Sequence, residues 1–241
     1  MRKRIILKLS GESLGGESKM CFDHLKLKEI ALEIKDLYDQ GDVDISIVVG
    51  AGNIWRGRDA INCGIERSSA DYMGMLATIL NALALQNALE ILGCDTRVMT
   101  SLSIPSVAEP YIRRKALSHL DKNRIVIFGG GNGIPFFTTD TTAALRGAEL
   151  GANLILMAKN GVDGVYSDDP KKNKNAYRFD KLTYREVLEK DLHVMDMTAI
   201  TLCEENNIDI IVFDMNVKGN IAKAANDFSI GTLVSNKWKE I

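Results

Sequence analysis

Cysteine is scarce and scattered in this chain. Its four thiols, Cys21, Cys63, Cys94 and Cys203, form no C-x-x-C pair, so neither a disulfide framework nor a zinc site is expected, and a reducing compartment fits. An excess of one charge is also missing. The net charge of −2 leaves no basic footprint for nucleic acid, and Lys171, Lys172 and Lys174 read as a solvated loop. No apolar run approaches membrane-spanning length, and the opening MRKRIILKLSGE is broken at Lys8, too early for a signal-peptide core. These absences predict a cytoplasmic protein with no nucleic-acid or membrane partner. Two phosphate-binding signatures are absent as well. No glycine is followed by lysine, which removes the G-x-x-x-x-G-K-[ST] loop, and the G-x-G-x-x-G pattern fails because Trp55 and Ile134 stand where its last glycine would fall. Small anions must be held by other local groups.

What is present is ordinary globular material. With 241 residues, 46% of them hydrophobic and 26% charged, the chain can bury a substantial sheet and is expected to form one domain spanning residues 1–241. No linker-like stretch and no internal repeat divides it. Short apolar runs rich in β-branched residues recur at Ile5–Leu9, Ile45–Val49, Arg97–Met99, Ile125–Phe128, Leu154–Met157 and Ile208–Phe213. Helical spacing fills Leu25–Asp39, Ser69–Leu92, Thr141–Glu149 and Asn216–Asp227 between them. That alternation predicts an α/β fold with a mainly parallel sheet covered on both faces. Val162–Ser167 followed by Tyr177–Phe179 is too short for a crossover and predicts a hairpin or flap. The segment Asp71–Leu92 is apolar around much of its circumference, which fits either a central core helix or one that packs against its copy in a second subunit.

Glycines follow three of the expected strands, at Gly11, at Gly50 with Gly52, and at Gly129, Gly130, Gly131 and Gly133. Ligands of parallel sheets bind beyond the carboxyl ends of the strands, where glycine lets backbone N–H groups approach a phosphate, although each glycine could also serve only a tight turn. Lys8 interrupts an apolar strand, a costly place for an ammonium unless it reaches water or an anion. Arg56 is either a surface arginine or a guanidinium fork on phosphate. Thr138, Thr139 and Asp140 stand where a helix begins, so hydroxyls, free N–H groups and the positive dipole end converge there, whether for an anion or as a plain N-cap.

Taken together, KLSGE at Lys8–Glu12, GAGNIWRG at Gly50–Gly57, ADYMGMLAT at Ala70–Thr78, PFFTTD at Pro135–Asp140 and NGVDGVYSDDP at Asn160–Pro170 resemble the bacterial UMP kinases of the amino acid kinase superfamily. VMDMTAITL from Val194 and VFDMN from Val212 resemble the C-terminal part of that family, so the likeness covers nearly the whole chain. The opening lysine is shared with carbamate, acetylglutamate, glutamate and aspartate kinases, whereas the combination of WRG, DYMGMLAT and PFFTTD is more specific.

The resemblance implies a three-layer αβα sandwich, a homohexamer built from dimers, and transfer of the ATP γ-phosphate to UMP with Mg2+ carried on the ATP phosphates rather than by protein ligands. It assigns Lys8, Leu9, Ser10, Gly11, Gly52 and Arg56 to the ATP phosphates and the transfer site. Asn160, Tyr166 and Asp169 fall on the adenine and ATP-ribose side. UMP falls to Ala51, Asp71 and the segment Asn132, Gly133, Ile134, Pro135, Phe136, Phe137, Thr138 and Thr139. Lys8, Arg56 and Asp140 are the expected catalytic set. Ala51 occupies a usually glycine position and requires negative φ or strain. The family also implies a nucleotide effector, with inhibition by UTP. GGESKMCFD, from Gly15 to Asp23, departs from the family's glycine-rich loop and argues against activation by GTP. Two other readings remain at this level: a relative acting on carbamate or an amino acid carboxylate, and a non-catalytic nucleotide- or oxyanion-binding protein on the same fold.

Overall fold

The computed structural model describes residues 2–16, 21–57, 64–192 and 194–237. The chain runs β1 (Lys3–Leu9), a 3-10 turn (Gly11–Gly15), α1 (His24–Gln40), β2 (Val43–Val49), α2 (Arg67–Ile91), β3 (Thr96–Thr100), β4 (Glu109–Pro110), α3 (Arg113–Asp121) and β5 (Ile125–Gly129). It continues through α4 (Thr139–Leu150), β6 (Leu154–Lys159), β7 (Val165–Tyr166), β8 (Arg178–Phe179), β9 (Lys181–Leu182), α5 (Tyr184–Glu189), α6 (Met197–Glu205), β10 (Asp209–Asp214), α7 (Asn220–Ala224) and β11 (Gly231–Val234). Nine strands form one sheet in the order β4-β3-β5-β2-β1-β6-β10-β11-β9, while β7 and β8 pair separately as an antiparallel hairpin. Every pairing in the large sheet is parallel except β10 with β11.

The period-2 alternation of strand side chains sorts the core into two layers. Ile5, Leu7, Leu9, Ile45 and Ile47 face α1, α2 and α7, whereas Ile6, Val48, Val126 and Ile155 face α3, α4, α5 and α6. This gives the three-layer αβα arrangement. Lys8 follows Ile6 onto the second face, at the carboxyl end of the central strand β1, so its side chain points toward the start of α4.

Helix α1 begins at a true cap, since the Asp23 carboxylate accepts from Leu25 N–H and Lys26 N–H, and it ends at Gly41 with φ +73°. The 25-residue α2 has two unlike faces. Ala77, Ala82, Leu85 and Leu89 pack inward, while Tyr72, Met73, Leu76 and Leu80 remain exposed, so one face is core and the other is an open apolar stripe. Length and composition alone would let this helix cross a bilayer, but its inner face is committed to the sheet.

The expected helix over Asn216–Asp227 shrinks to Asn220–Ala224. Gly219 sits in the left-handed region (φ +84°) and starts the helix late, and Asn216 bonds backward instead, its N–H donating to Asp214 Oδ1. Several elements had too little pattern to be expected. Helix α3 buries only Ala116 and Leu120, and β11 contains just four residues.

Candidate active site

Two glycine turns meet at the carboxyl ends of β1 and β2. A side chain on Gly11 would put its Cβ 2.6 Å from Gly50 O and 2.7 Å from Gly52 N, so only glycine permits the turns to lie against each other. Gly50 N–H donates to Leu9 O at 2.9 Å, continuing the strand pairing into the turn. Beneath them lies a buried amide pair from β2's loop and α2. Asn81 Nδ2 donates to Gly50 O (2.7 Å) and to Asn53 Oδ1 (2.8 Å), and Asn53 Nδ2 donates to Cys21 O (2.6 Å). Ala51 is absent from the positive-φ residues, so the alanine fits its turn without left-handed strain.

The charged groups gather beside these turns. Lys8 Nζ lies 2.7 Å from Asp140 Oδ1, both side chains being mostly buried, and Asp140 stands in the first turn of α4. Arg56 curls back, donating from Nε to Gly52 O at 3.0 Å and pairing through Nη2 with Glu12 at 3.0 Å. At the end of an expected strand, Lys159 suits a surface role as well as extra positive charge at the site. In the fold it is half-buried at the end of β6, and its Nζ donates to Val194 O at 3.0 Å. Desolvation pushes its pKa down, opposed by the Asp140 charge and reinforced by Lys8, which places Lys159 in the same electrostatic cluster.

A pocket opens next to this cluster, between α2 and the segment joining β5 to α4. Its cavity volume is about 140 Å³, and it opens broadly to solvent at its mouth. Ala51, Asp71, Asn132, Ile134, Phe137, Thr138 and Thr139 all line it, whereas Gly133, Pro135 and Phe136 do not. Asn132 Oδ1 is buried and has no hydrogen-bond partner, an acceptor held ready for a donor from outside the protein. Asp71 is more than an early-helix charge. It accepts from Phe136 N–H (2.8 Å) and pairs with Arg67 (3.1 Å), while the Arg67 guanidinium lies 5.5 Å from the Phe136 ring centre. Phe136 adopts φ +74°, a strained conformation for an aromatic residue that this tie at the pocket rim holds in place.

Thr138 is an N-cap, accepting from Asp140 N–H and Thr141 N–H, and its hydroxyl also donates to Asp196. Asp196 Oδ2 accepts in addition from Thr141 Oγ1 at 2.8 Å. No group of three or more His, Cys, Asp or Glu side chains is arranged to hold a metal among the described residues. Asp140, with one oxygen on Lys8, is the carboxylate whose hard oxygen suits a magnesium ion carried in on phosphates.

A second pocket lies under the β7–β8 hairpin, lined by Tyr166, Asp168, Asp169, Lys172, Lys190 and Leu192 among others. Tyr166 and Asp169 therefore share one cavity. Asn160 lies outside its lining and instead accepts from Asn216 Nδ2 at 2.6 Å. The Tyr166 hydroxyl donates to Asp163 Oδ1 (2.7 Å), and the Asp169 carboxylate is tied into its own turn by Lys171 N–H (2.9 Å).

A family model described as "Amino acid kinase family" matches residues 3–214. This chain belongs to the amino acid kinase family. Within it the kinase falls with the uridylate kinases: it is 56% identical to the "Uridylate kinase" of Limosilactobacillus reuteri (strain DSM 20016) over 96% of each chain. It is likewise 56% identical to that of Onion yellows phytoplasma (strain OY-M) over 98% of each chain. Among solved structures it is similar to the UMP kinase from Bacillus anthracis, with a TM-score of 0.94 and 43% identity over 98% of this chain and 96% of that one.

Several residues of this kinase's site carried no assignment from sequence. Asp196 caps α6, accepting from Ala199 N–H at 2.9 Å, besides its bonds to Thr138 and Thr141. Asn81 had a usable signal, a polar side chain on the inward face of an apolar helix, the same kind of interruption that drew attention to Lys8. Glu12 had none, because an acid after a glycine turn is expected to be solvated.

Proposed function

We infer that the protein is a UMP kinase, transferring the γ-phosphate of ATP to UMP to give UDP and ADP. The observation that carries this reading is the open pocket carrying Asp71 and the orphaned Asn132 acceptor, beside the Lys8–Asp140 pair, in a chain most of whose length matches uridylate kinases. ATP lies with its phosphates over the Ser10–Gly11 and Gly50–Gly52 turns and its adenosine toward the hairpin pocket with Tyr166 and Asp169.

Transfer of this kind asks the protein for alignment and charge neutralisation rather than covalent chemistry. Lys8, fixed in direction by Asp140, meets the γ-phosphate. Arg56 exchanges Glu12 for phosphate when ATP arrives, so the guanidinium is supplied already oriented by Gly52 O. Lys159 adds positive charge behind the pair. An oxygen of the UMP phosphate attacks the γ-phosphorus while the bond to the β-γ bridging oxygen breaks, and ADP leaves with the electron pair. The attacking phosphate is largely ionised near neutral pH, with a second pKa of about 6, so no general base is needed and no phosphoenzyme forms. Magnesium held on the ATP phosphates would supply further neutralisation, and Asp140 is the residue that would face it. The enzyme works in the cytoplasm as a homo-oligomer, a hexamer by analogy with its family, with UTP as an inhibitory effector.

An ADP-release assay with UMP, CMP, dUMP and carbamate in parallel tests the reading. UMP should be the preferred acceptor by a wide margin. Carbamate turnover, or no ADP release with any acceptor, would return the protein to one of the other readings of this fold.

A further inference from the structure

Arg146 is a charged side chain buried inside the fold. It lies in the middle of α4 with 5% of its surface exposed. Its guanidinium stacks over the Tyr111 ring, 3.7 Å from the ring centre, and pairs through Nη1 with Glu149 at 2.5 Å. Tyr111 donates to the same Glu149 oxygen at 2.7 Å, while Arg146 Nε finds no partner. A buried ion pair is seldom more stabilising than an apolar side chain of the same volume, and an unpaired N–H adds cost. The remaining contact gives the arrangement its sense. Arg146 Nη2 donates to Ser101 Oγ at 2.9 Å, and Ser101 Oγ donates to Gly131 O at 2.6 Å.

Gly131 lines the pocket assigned above to UMP. Its neighbours show that the loop rests on Ser101: a Cβ on Gly133 would lie 3.2 Å from both Ser101 Cβ and Ser101 O, and one on Gly130 would lie 3.3 Å from Ser101 N. Gly130, Gly131 and Gly133 all have φ between +54° and +79°, so the loop has no regular ladder to fix it and depends on side-chain ties. One tie comes from α2, where Thr78 Oγ1 accepts from Gly130 N–H at 2.8 Å. A second from α2 is Asp71, which accepts from Phe136 N–H at the far end of the loop, and a third is the relay from Arg146.

We propose that Arg146 is a positioning residue for the acceptor nucleotide, acting through Ser101 to pin the Gly131 carbonyl and so hold the Gly130–Phe137 loop at the height that receives UMP. The Tyr111 ring and Glu149 hold the guanidinium with Nη2 directed at Ser101. The inference rests on the UMP reading. It concerns one substrate only, since the ATP turns at Gly11 and Gly50 are held by the separate Asn53–Asn81 pair.

Ser101→Ala keeps the Cβ that supports Gly133 and removes only the hydroxyl. Arg146→Lys keeps the cation beside Glu149 but loses the planar fork. For each, KM for UMP is expected to rise roughly tenfold, the size of one lost hydrogen bond to an oriented group, with KM for ATP and kcat at saturating UMP within about twofold of wild type. The double variant should cost no more than the worse single one, because both residues act in one relay. A KM for UMP that stays put in both variants overturns the inference, as does an equal rise for UMP and ATP or an additive double variant. Wild-type enzyme that fails to use UMP would instead overturn the parent reading, so the two failures are told apart by the control.

Discussion

At the scale of single residues, the site depends on charges placed where the fold shields them from water. Lys8→Ala is expected to lower turnover by about 100-fold or more, since one preorganised charge-stabilising contact is lost. Its circular dichroism should stay native, and turnover within a few-fold of wild type would remove Lys8 from the transfer site. Asp71 needs a more careful test than its sequence position implied, because it also ties Phe136 N–H and Arg67. Asp71→Ala should reduce kcat/KM for UMP by about 10- to 150-fold, the range of a charge-assisted hydrogen bond, and should narrow the preference for UMP over dUMP. Arg67→Ala separates the roles: it removes the exposed ion pair but leaves the carboxylate, so the UMP/dUMP ratio should hold. Lys159 gives a pH signature. Its folded pKa lies below the ordinary 10.5 because of burial, so between the two values the unfolded chain binds more protons and stability rises with pH. Denaturant midpoints of wild type and Lys159→Met, compared at pH 7 and pH 10, should shift in favour of wild type at the higher pH. A gap independent of pH would mean that the ammonium is solvated.

At the scale of elements, α2 serves two surfaces. Its inner face carries Asn81 and Thr78, which hold the Gly50 and Gly130 turns, while Tyr72, Met73, Leu76 and Leu80 lie open on its outer face. Residues 72, 76 and 80 follow one another at four-residue spacing, which aligns them as a stripe. A stripe of this kind calls for a partner, and a second copy of the chain is the one proposed above. Light scattering of wild type should give a stable oligomer, and Leu76→Glu with Leu80→Glu should shift it toward smaller species. A wild-type monomer at micromolar concentration would show that the stripe is merely exposed. The helical pattern over Asn216–Asp227 misled for a local reason: it contains Gly219, whose left-handed conformation only the backbone path through Asp214 and Asn216 required.

At the scale of the whole molecule, the sheet order decides which residues can cooperate. Placing β1 between β2 and β6 brings the lysine of β1 beside the lysine of β6 and sets both against the start of α4. Regulation is also a whole-molecule property. Glu17 to Met20, the heart of the segment that argued against GTP control, lies outside the described residues, and its neighbour Cys21 is bonded to Asn53 in both directions, at 2.8 Å and 2.6 Å. An initial-rate titration with GTP at subsaturating ATP should therefore show little activation, and a strong response would show that this loop supports it. The sequence by itself determined the parts whose cause is local: six of the buried strands through their apolar β-branched runs, the glycine turns that end β1, β2 and β5, the Thr138 cap, and the misplaced-looking Lys8. These depend on a few consecutive residues and their solvation, so a one-dimensional pattern carries them. Only the tertiary structure decided that Lys159 reaches Val194, that Glu12 holds Arg56, and that Thr138 meets Asp196, Asn81 meets Gly50 and Arg146 meets Ser101 across 58, 31 and 45 residues of chain. Each of those contacts joins polar groups that would be at home in water. Strand order and the cost of leaving a buried donor or acceptor unpaired select their partners, and neither is written in the residues nearby.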